Sequence, residues 1–348
     1  MPDTRPPAAP DTALEPPTNG AIQRGQWVPL PDGDPLTAYL AAHLWDGPGL
    51  PAAWEAARLS SAAHIYRETG TGWAVVAKFY AAKTSQDAER HAQRELDVTE
   101  QALAAGLDGG PLRAQRALGL WRSVLLLEYV DGLTLEDTIA VRRHRPGELL
   151  PAVERAAALL ATLHTHGARP AETPDFMPAV RGAHKRVSQL ARWGVLQDHA
   201  TVCAGLRRLI DRWGASPVMR AYRPTLIHGD ATTTNFVFPW EGGCVAIDWE
   251  RLKVADPAGD VGRLAAEAAH SVRRQGGNGD EAEALVEHLL TAYCGARRLD
   301  AAQDAALRER AVFFRATSTL RIARNGWLSR LERTALVAEA LALLARCE

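Results

Sequence analysis

Apolar runs in the first third of the chain predict strands. HIYRE (residues 64–68) is followed by a GTG turn and by WAVVAKFY (residues 73–80), which is rich in β-branched and aromatic residues. SVLLLEYV (residues 123–130) is a further buried run. Between them, residues 84–105 carry many Ala, Glu, Arg, Gln and Leu and predict one helix that ends at Gly106. The pattern therefore predicts a small β-rich lobe with one helix.

The pattern changes to helical spacing after Gly132. PAVERAAALLATLH (residues 151–164) repeats apolar positions at the spacing of an amphipathic helix, and the chain after about residue 260 does so again. Short strand-like runs TLI, FVF and CVAIDW interrupt this region between residues 225 and 249. We expect a larger helical lobe with an embedded hairpin, joined to the first lobe near residues 129–132.

The first 25 residues have a different composition. Prolines recur among small and polar residues, at Pro2, Pro6, Pro7, Pro10, Pro16 and Pro17. Such a segment buries too little apolar surface to offset the entropy of ordering. We predict a disordered tail over 1–25, an amino-terminal lobe over 26–130 and a carboxy-terminal lobe over 131–348.

Composition narrows the class of protein. The chain has 348 residues and is 47% hydrophobic, which predicts a two-lobed globular protein. Its net charge of −1 gives no overall positive potential that would attract nucleic acid. Four scattered cysteines form no C-x-x-C pair and indicate a reducing compartment. No run of eighteen apolar residues and no apolar signal core are visible, so we expect a cytoplasmic protein without a membrane partner. Its oligomeric state is open.

The stretch IHGDATTTNF (residues 227–236) concentrates polar side chains between strands. Five residues separate Asp230 from Asn235, and thirteen more lead to Asp248 in AIDWE. If FVF and CVAID pair as a hairpin through PWEGG, its open end brings these three side chains together. A carboxylate and an amide oxygen suit Mg²⁺, and a further carboxylate can accept a hydrogen bond from a nucleophilic hydroxyl. The spacing predicts a phosphoryl-transfer centre.

Three motifs in order, H-G-D-x-x-x-x-N, I-D-W-E and D-P-x-x-D, resemble those of the aminoglycoside phosphotransferase and choline kinase superfamily. The resemblance implies a bilobal, protein-kinase-like α+β fold: a small antiparallel β lobe with one helix and a larger, mainly helical lobe. It implies that Asp230 orients the acceptor hydroxyl and that Asn235 and Asp248 hold the metal. By the same likeness, His228 holds the catalytic loop and Asp256 braces that region.

A lysine for the nucleotide phosphates is expected in the first lobe. Strand alternation puts Val76 and Lys78 on one face of AVVAKFY. A buried lysine needs a carboxylate partner. On the next helix Glu95 falls in the middle of the small and apolar stripe, whereas Glu89 and Glu100 fall towards its edge, so Glu95 is the predicted partner. The resemblance implies that Lys78 binds phosphate and that Val76 floors the adenine pocket.

The run LLLEYVDG resembles the hinge between kinase lobes. That likeness implies that the Glu128 carbonyl and the Val130 amide hydrogen-bond adenine, and that LSSAAH, with Ser60 and Ser61, lies near phosphate. The chain has neither the G-x-G-x-x-G loop of protein kinases nor a G-x-x-x-x-G-K-[ST] P-loop.

The predicted function is ATP- and Mg²⁺-dependent phosphorylation of a hydroxyl on a small molecule. Two alternatives are a nucleotide-binding pseudokinase scaffold and a protein kinase, although H-R-D and D-F-G are absent. The acceptor's charge is open: Asp280, Glu281 and Glu283 would favour a cation. Arg315, Arg321 and Arg324 would favour an anion, but composition favours a solvated face for both groups.

Overall fold

The computed structural model describes residues 26–196 and 200–347. The predicted disordered tail, residues 1–25, lies outside the described residues. The chain divides into two compact units, one of Met1–Gln101 with Gln115–Val130 and one of Ala102–Ala114 with Asp131–Glu348. The first carries an antiparallel sheet and the second is mainly helical, so the predicted α+β fold class is confirmed.

Among the described residues, the first unit begins with one strand and one helix, continues with three strands and a second helix, and ends with two strands; the second unit contains mostly helices. The strands are β1 Trp27–Pro29, β2 Trp54–Arg58, β3 Ala63–Glu68, β4 Ala74–Phe79, β5 Leu112–Ala114, β6 Ala117–Trp121, β7 Val124–Glu128, β8 Gly132–Thr134, β9 Thr225–Ile227, β10 Phe236–Pro239, β11 Cys244–Ala246 and β12 Lys253–Ala255. The helices are α1 Pro35–His43, α2 Ser85–Ala102, α3 Leu135–Val141, α4 Leu149–His166, α5 Met177–Arg192, α6 Ala200–Ala215, α7 Ala258–Arg274, α8 Gly279–Arg297, α9 Ala301–Ile322 and α10 Arg330–Leu344.

The first unit is built on a six-stranded antiparallel sheet with the strand order β1-β2-β3-β4-β7-β6. The predicted strands form its centre, where Lys78 of β4 lies opposite Leu125 of β7. Leu36 and Leu40 of α1 pack with Tyr66 and Val75 in the core on one face of the sheet.

The expectation of a single helix in this unit was wrong, because α1 precedes α2. The side chain of Asp34 caps α1 by accepting hydrogen bonds from the amides of Leu36 and Thr37, and Pro35 occupies its first turn. The cap and the two buried leucines stabilise a helix of only nine residues in a stretch rich in Gly and Pro.

The second unit takes in residues 102–114, which lie within the range predicted for the amino-terminal lobe. The physical reason is strand pairing: β5 runs parallel to β11, with Arg113 opposite Val245, in the sheet β5-β11-β10-β8. The turn Leu103–Leu107 also packs against α4. The chain thus crosses from the first unit to the second and back before it reaches β6.

The embedded hairpin is formed by β10 and β11, as the sequence predicts. Phe236 lies opposite Ala246 and Val237 opposite Val245 in an antiparallel register. The turn contains Gly243, whose φ of 91° favours glycine and whose added Cβ would lie 2.3 Å from the carbonyl oxygen of Pro111. The open end of the hairpin therefore holds residues 235 and 247–248 side by side.

The helices of the second unit pack around a core that includes Trp213, Phe313, Phe176 and Leu320. Helices α7 and α9 cross closely at Gly262, which leaves no room for a side chain: its added Cβ would lie 2.6 Å from the carbonyl oxygen of Ala311. None of the described helices is long and apolar enough to cross a membrane.

We predict that Gly262→Ala lowers the free energy of unfolding by about 1–3 kcal/mol, because the methyl group forces α7 away from the backbone of α9. Gly205→Ala in α6 is the matched control, since its Cβ would meet only the side chain of Leu341 at 4.0 Å. That control should raise the free energy of unfolding by ~0.5–1 kcal/mol through helix propensity. Urea denaturation of both variants measures the difference, and equal effects would contradict the close crossing.

Candidate active site

The His-Gly-Asp loop, which follows β9, is held by a single buried carboxylate. Asp260 in the first turn of α7 accepts hydrogen bonds from the amides of His228, at 2.6 Å, and Gly229, at 2.9 Å. Gly229 has a φ of 77°, and an added Cβ would lie 2.2 Å from the carbonyl oxygen of Arg251. Glycine is therefore required at the centre of the motif for both conformation and space.

Asp260 is itself embedded in a hydrogen-bonded chain. Its Oδ2 lies 3.2 Å from Nε2 of His164, whose Nδ1 lies 2.7 Å from the hydroxyl of Tyr293 on α8. Burial opposes ionisation of Asp260, but the bonds from His164 and from the Gly229 amide, together with nearby His228, hold its pKa below the usual range. The carboxylate is thus kept as a charged acceptor for the loop amides.

Asp256 occupies a different position from the one that the resemblance implies. Its Oδ1 accepts the amide of Ala258 at 2.9 Å, and its Oδ2 lies 2.9 Å from Nε of Arg310 on α9. Arg310 in turn donates to the carbonyl of Ala221 at 2.7 Å. Asp256 therefore joins the start of α7 to α9, whereas the hydrogen bonds that brace the His-Gly-Asp loop come from Asp260.

His228 supports the loop from the other side. Its Nε2 lies 3.0 Å from the carbonyl oxygen of Ile247, and its Nδ1 accepts the amide of Asp230 at 3.3 Å. The ring is fully buried and packs 4.5 Å from the ring of Trp249, centroid to centroid. His228 thus links the loop to the segment that carries Asp248, which agrees with a structural role for it.

Asp230, the predicted catalytic residue, lies between two arginines. Its Oδ1 accepts a hydrogen bond from Arg263 of α7, and its Oδ2 lies 3.7 Å from Nε of Arg251. The side chain is 15% exposed, so the carboxylate is oriented but still reachable. Its backbone carbonyl accepts Nδ2 of Asn235 at 2.9 Å, which joins the two motif residues directly.

Asn235 and Asp248, the predicted metal ligands, flank the open end of the β10–β11 hairpin. The amide of Ile247 donates to the carbonyl of Asn235 at 3.0 Å, so Asp248 is the next residue beyond the last paired position. Asp248 has a φ of 65°, which aspartate tolerates better than most residues and which is a conformation concentrated at functional sites.

The donor set fits a hard cation. Nδ2 of Asn235 is engaged by the Asp230 carbonyl, and its Oδ1 has only a 3.4 Å contact from Thr234 Oγ1 among the described residues. An amide oxygen and a half-buried carboxylate are oxygen ligands of the kind that Mg²⁺ takes. Their role as metal ligands stays a prediction.

The first unit contains the ion pair that the helical wheel predicts. Nζ of Lys78 on β4 lies 2.8 Å from Oε1 of Glu95 on α2, and the Glu95 side chain is only 4% exposed. Val76, two residues earlier, is buried with Ile65 and Leu127. The lysine is therefore fixed by a buried carboxylate rather than free to move along the strand surface. Phosphate binding by Lys78 and adenine contact by Val76 stay predictions.

The segments predicted to be the hinge and the nucleotide loop form local hydrogen bonds. The carbonyl of Glu128 accepts Nε2 of Gln115 at 2.8 Å, and the Glu128 carboxylate accepts the amide of Arg116 at 2.7 Å. The Ser60 hydroxyl accepts the amide of Ala63 at 3.0 Å, which closes an exposed turn that also contains Ser61. No contact of the described residues tests the nucleotide roles proposed for Ser60, Ser61, Glu128 and Val130.

Several residues near the site escaped the sequence analysis, namely Asp260 as the loop anchor, Arg263, Arg251 and Gln115. One signal was available: Asp260 and Arg263 are three residues apart in α7, so they lie on the same face of the helix. Both side chains reach the His-Gly-Asp loop for that reason.

The family model described as the phosphotransferase enzyme family matches residues 53–309. This range includes every motif described above, and the chain belongs to that family.

Solved structures support the same fold. The ADP-bound aminoglycoside phosphotransferase APH(2'')-Ib aligns with a TM-score of 0.57 at 16% identity, over 90% of this chain and 99% of that one. The streptomycin-ATP complex of APH(2'')-IIa aligns with a TM-score of 0.53 at 13% identity, over 91% and 97%. The GDP complex of aminoglycoside 2'-phosphotransferase-IIIa aligns with a TM-score of 0.51 at 16% identity, over 90% and 97%. A sequence search of curated proteins found no match.

We predict that Asp260→Asn lowers the free energy of unfolding by about 2–4 kcal/mol. An amide can accept with one oxygen only, so the His228 or the Gly229 amide would face an NH₂ group. Turnover should fall in parallel as the loop loosens. Asp211→Asn is the control, because Asp211 is exposed and paired only with half-buried His184 among the described residues. Thermal and urea unfolding measure the effect; equal stability of both variants would contradict the anchor.

Proposed function

We propose that this chain is a kinase that uses ATP and Mg²⁺ to phosphorylate a hydroxyl group of a small molecule. The observation that carries the proposal is the convergence of Asp230, Asn235 and Asp248 at the open end of one hairpin. Membership of the phosphotransferase family supports the reaction class. The neighbours crystallised with ADP, ATP or GDP support a nucleoside triphosphate as the donor.

Asp230 is the proposed catalytic residue. Its carboxylate accepts a hydrogen bond from the acceptor hydroxyl and takes the proton as the bond from that oxygen to the γ-phosphorus forms. The bond between the γ-phosphorus and the β,γ-bridging oxygen breaks, and ADP leaves. Arg263 orients this carboxylate through a hydrogen bond. Catalysis would therefore depend on how the acceptor hydroxyl is positioned rather than on a strong base.

Asn235 and Asp248 are proposed to hold Mg²⁺, which would neutralise charge on the β- and γ-phosphates when bound. The Asn235 amide is turned by its bond to the Asp230 backbone, so its oxygen faces away from that carbonyl. In the first unit Lys78, held by Glu95, would bind phosphate. Binding of adenine by the Glu128 carbonyl and the Val130 amide, with Ser60 and Ser61 near phosphate, belongs to the same proposal.

The two alternatives are less well supported. A pseudokinase scaffold would not need the metal and catalytic positions, all of which are present. A protein kinase needs a platform for a peptide, and only residues 251–257 connect Glu250 to α7. Three of those residues form β12, which pairs with β9. So short a connection suits a compact acceptor.

Asp230→Asn should reduce phosphate transfer by about two to four orders of magnitude, the range typical of a positioned acid or base. The binding of MgATP should change far less than turnover, whereas the melting temperature should fall, because Arg263 and Arg251 lose the charge of a carboxylate that they contact. Steady-state turnover and nucleotide titration separate these effects. Turnover close to that of the unmodified enzyme would remove Asp230 from the mechanism.

Asp248→Asn should weaken the dependence of nucleotide binding on Mg²⁺. Asparagine accepts the left-handed backbone conformation at this position, so the change removes charge without adding strain. We expect the tightening of ATP binding by Mg²⁺ to fall by roughly tenfold or more, since even outer-shell partners of metal sites commonly contribute that much. ATP and GTP are titrated with and without Mg²⁺, and an unchanged metal effect would argue against this ligand.

A further inference from the structure

Cationic side chains of the second unit gather near Arg263 and Arg251, the two arginines that contact Asp230. They come from α5, from the segment after Asp248, from α7 and from the end of α9, and we call them the basic cluster: Arg186, Arg251, Lys253, Arg263, Arg321 and Arg324. The cluster begins at the proposed catalytic carboxylate, which Arg263 hydrogen-bonds and which Arg251 approaches to 3.7 Å.

The carboxylates in contact with this cluster do not balance its charge. Among the described residues, its ion pairs are those with Asp230, Glu250 and Glu267. Asp260 faces the same region, but its oxygens accept the His228 and Gly229 amides and contact His164. Six cations therefore share four carboxylates, of which Asp230 is the proposed catalytic group and Asp260 holds the loop.

Arg186 is the member of the basic cluster whose positive charge has the fewest compensating contacts among the described residues. Its half-buried guanidinium folds back over Gly182, one turn earlier in α5, and no ion pair or hydrogen bond links it to another described residue. Burial, followed by the positive charges of Arg263 and Arg321, lowers the pKa of Arg186 to about 10. It stays charged at neutral pH, so the fold holds a cation close to Arg263, the arginine that hydrogen-bonds the proposed catalytic carboxylate.

Arg324 extends the cluster towards solvent. Its guanidinium lies 5.2 Å from the ring centroid of Trp193, which is 52% exposed, and its buried Nε has no hydrogen-bond partner among the described residues. Guanidinium groups bind carboxylate and phosphate oxygens through paired hydrogen bonds.

Two of the three carboxylates near residue 280, which would favour a cationic acceptor, already form ion pairs within the second unit. Glu281 pairs with Arg142, and Glu283 pairs with Arg315 and Arg273. Arg315 is buried by these contacts rather than lying on a solvated face, so that expectation was wrong for it. Glu281 and Glu283 thus hold parts of the second unit together, whereas the basic cluster includes the two arginines that contact Asp230.

We infer that the phosphate acceptor is an anion: a hydroxylated small molecule whose carboxylate or phosphate group binds Arg186 and Arg324 while its hydroxyl lies at Asp230. The inference rests on the proposed kinase function. A polycationic acceptor such as an aminoglycoside would meet like charge at this position. Uncompensated cations also cost stability, which is the usual signature of a site kept for ligand binding.

The first experiment measures anion binding without turnover. The melting temperature is recorded with and without saturating MgADP while inorganic phosphate replaces chloride at constant ionic strength. The unmodified protein and Arg208→Gln, an exposed control on α6, should both be stabilised by phosphate. Arg186→Gln should lose this stabilisation, with at least an approximately tenfold weaker phosphate affinity. Without phosphate its melting temperature should equal or exceed that of the unmodified protein, because a repelled charge is removed.

Two results of this experiment would overturn the inference. One is a phosphate effect retained in Arg186→Gln. The other combines two observations: MgADP abolishes the stabilisation by phosphate, and Arg186→Gln binds MgADP more weakly. Together they would show that the basic cluster binds the nucleotide and not the acceptor. Arg324→Gln tests the second contact in the same way, so the conclusion does not depend on a single variant.

The second experiment determines the acceptor's charge and separates this inference from the kinase proposal. Transfer of labelled phosphate is measured to acceptor sets matched in carbon skeleton, such as glucitol, gluconate, glucitol 6-phosphate and glucamine, with an aminoglycoside added. Preference for the carboxylate or phosphate member, lost in Arg186→Gln, supports the inference and identifies the oxyanion. Preference for the amines, unchanged or improved in Arg186→Gln, overturns it. If no acceptor is labelled and slow hydrolysis of ATP does not depend on Asp230, the kinase proposal fails, whatever the phosphate experiment shows.

Discussion

The Asp260 carboxylate is the constraint on which the candidate site depends. It is buried and charged, and it accepts two consecutive backbone amides of the His-Gly-Asp loop while contacting His164. A buried carboxylate is unfavourable unless such donors surround it. Because its hydrogen bonds among the described residues go to the loop and to α4, a shift of the loop would leave a buried charge with fewer donors. The positions of Asp230, Asn235 and the segment around Ile247 depend on that condition, because hydrogen bonds link them to the same loop.

The sequence predicted well those features that depend on short-range geometry. The hairpin register follows from FVF, PWEGG and CVAID, and the Lys78–Glu95 pair follows from one strand alternation and one helical wheel. Both depend on periodicities of two and 3.6 residues, which can be read in a single sequence. The spacing of Asp230, Asn235 and Asp248 predicted that they lie at one end of the hairpin, because the position of each residue relative to the paired strands follows from the same periodicity.

Other features depend on how helices cross, and the sequence could not show them. D-P-x-x-D contains two aspartates, and only the direction of α7 determines that Asp260 reaches the loop while Asp256 reaches Arg310 on α9. The assignment of residues 102–114 to the second unit depends on the pairing of β5 with β11, which are about 130 residues apart in sequence. The short α1 was missed although its cap, Asp34 followed by Pro35, was readable.

The charged residues around Asp230 fall into two groups: those that serve the transfer of phosphate in general, and those that would select this chain's own acceptor. The motif residues and the Asp260 anchor concern the transfer of phosphate, and they would serve any hydroxyl acceptor. The basic cluster is not needed for that chemistry: Arg263 alone is hydrogen-bonded to the Asp230 carboxylate. Arg186 and Arg324 contribute no ion pair among the described residues, and the contact of Arg324 with the Trp193 ring supplies no negative charge, so their positive charges repel the rest of the cluster. A fold that keeps such charges beside a reaction centre gains from them only when an anion binds, and that is the reason to seek the acceptor among anionic alcohols.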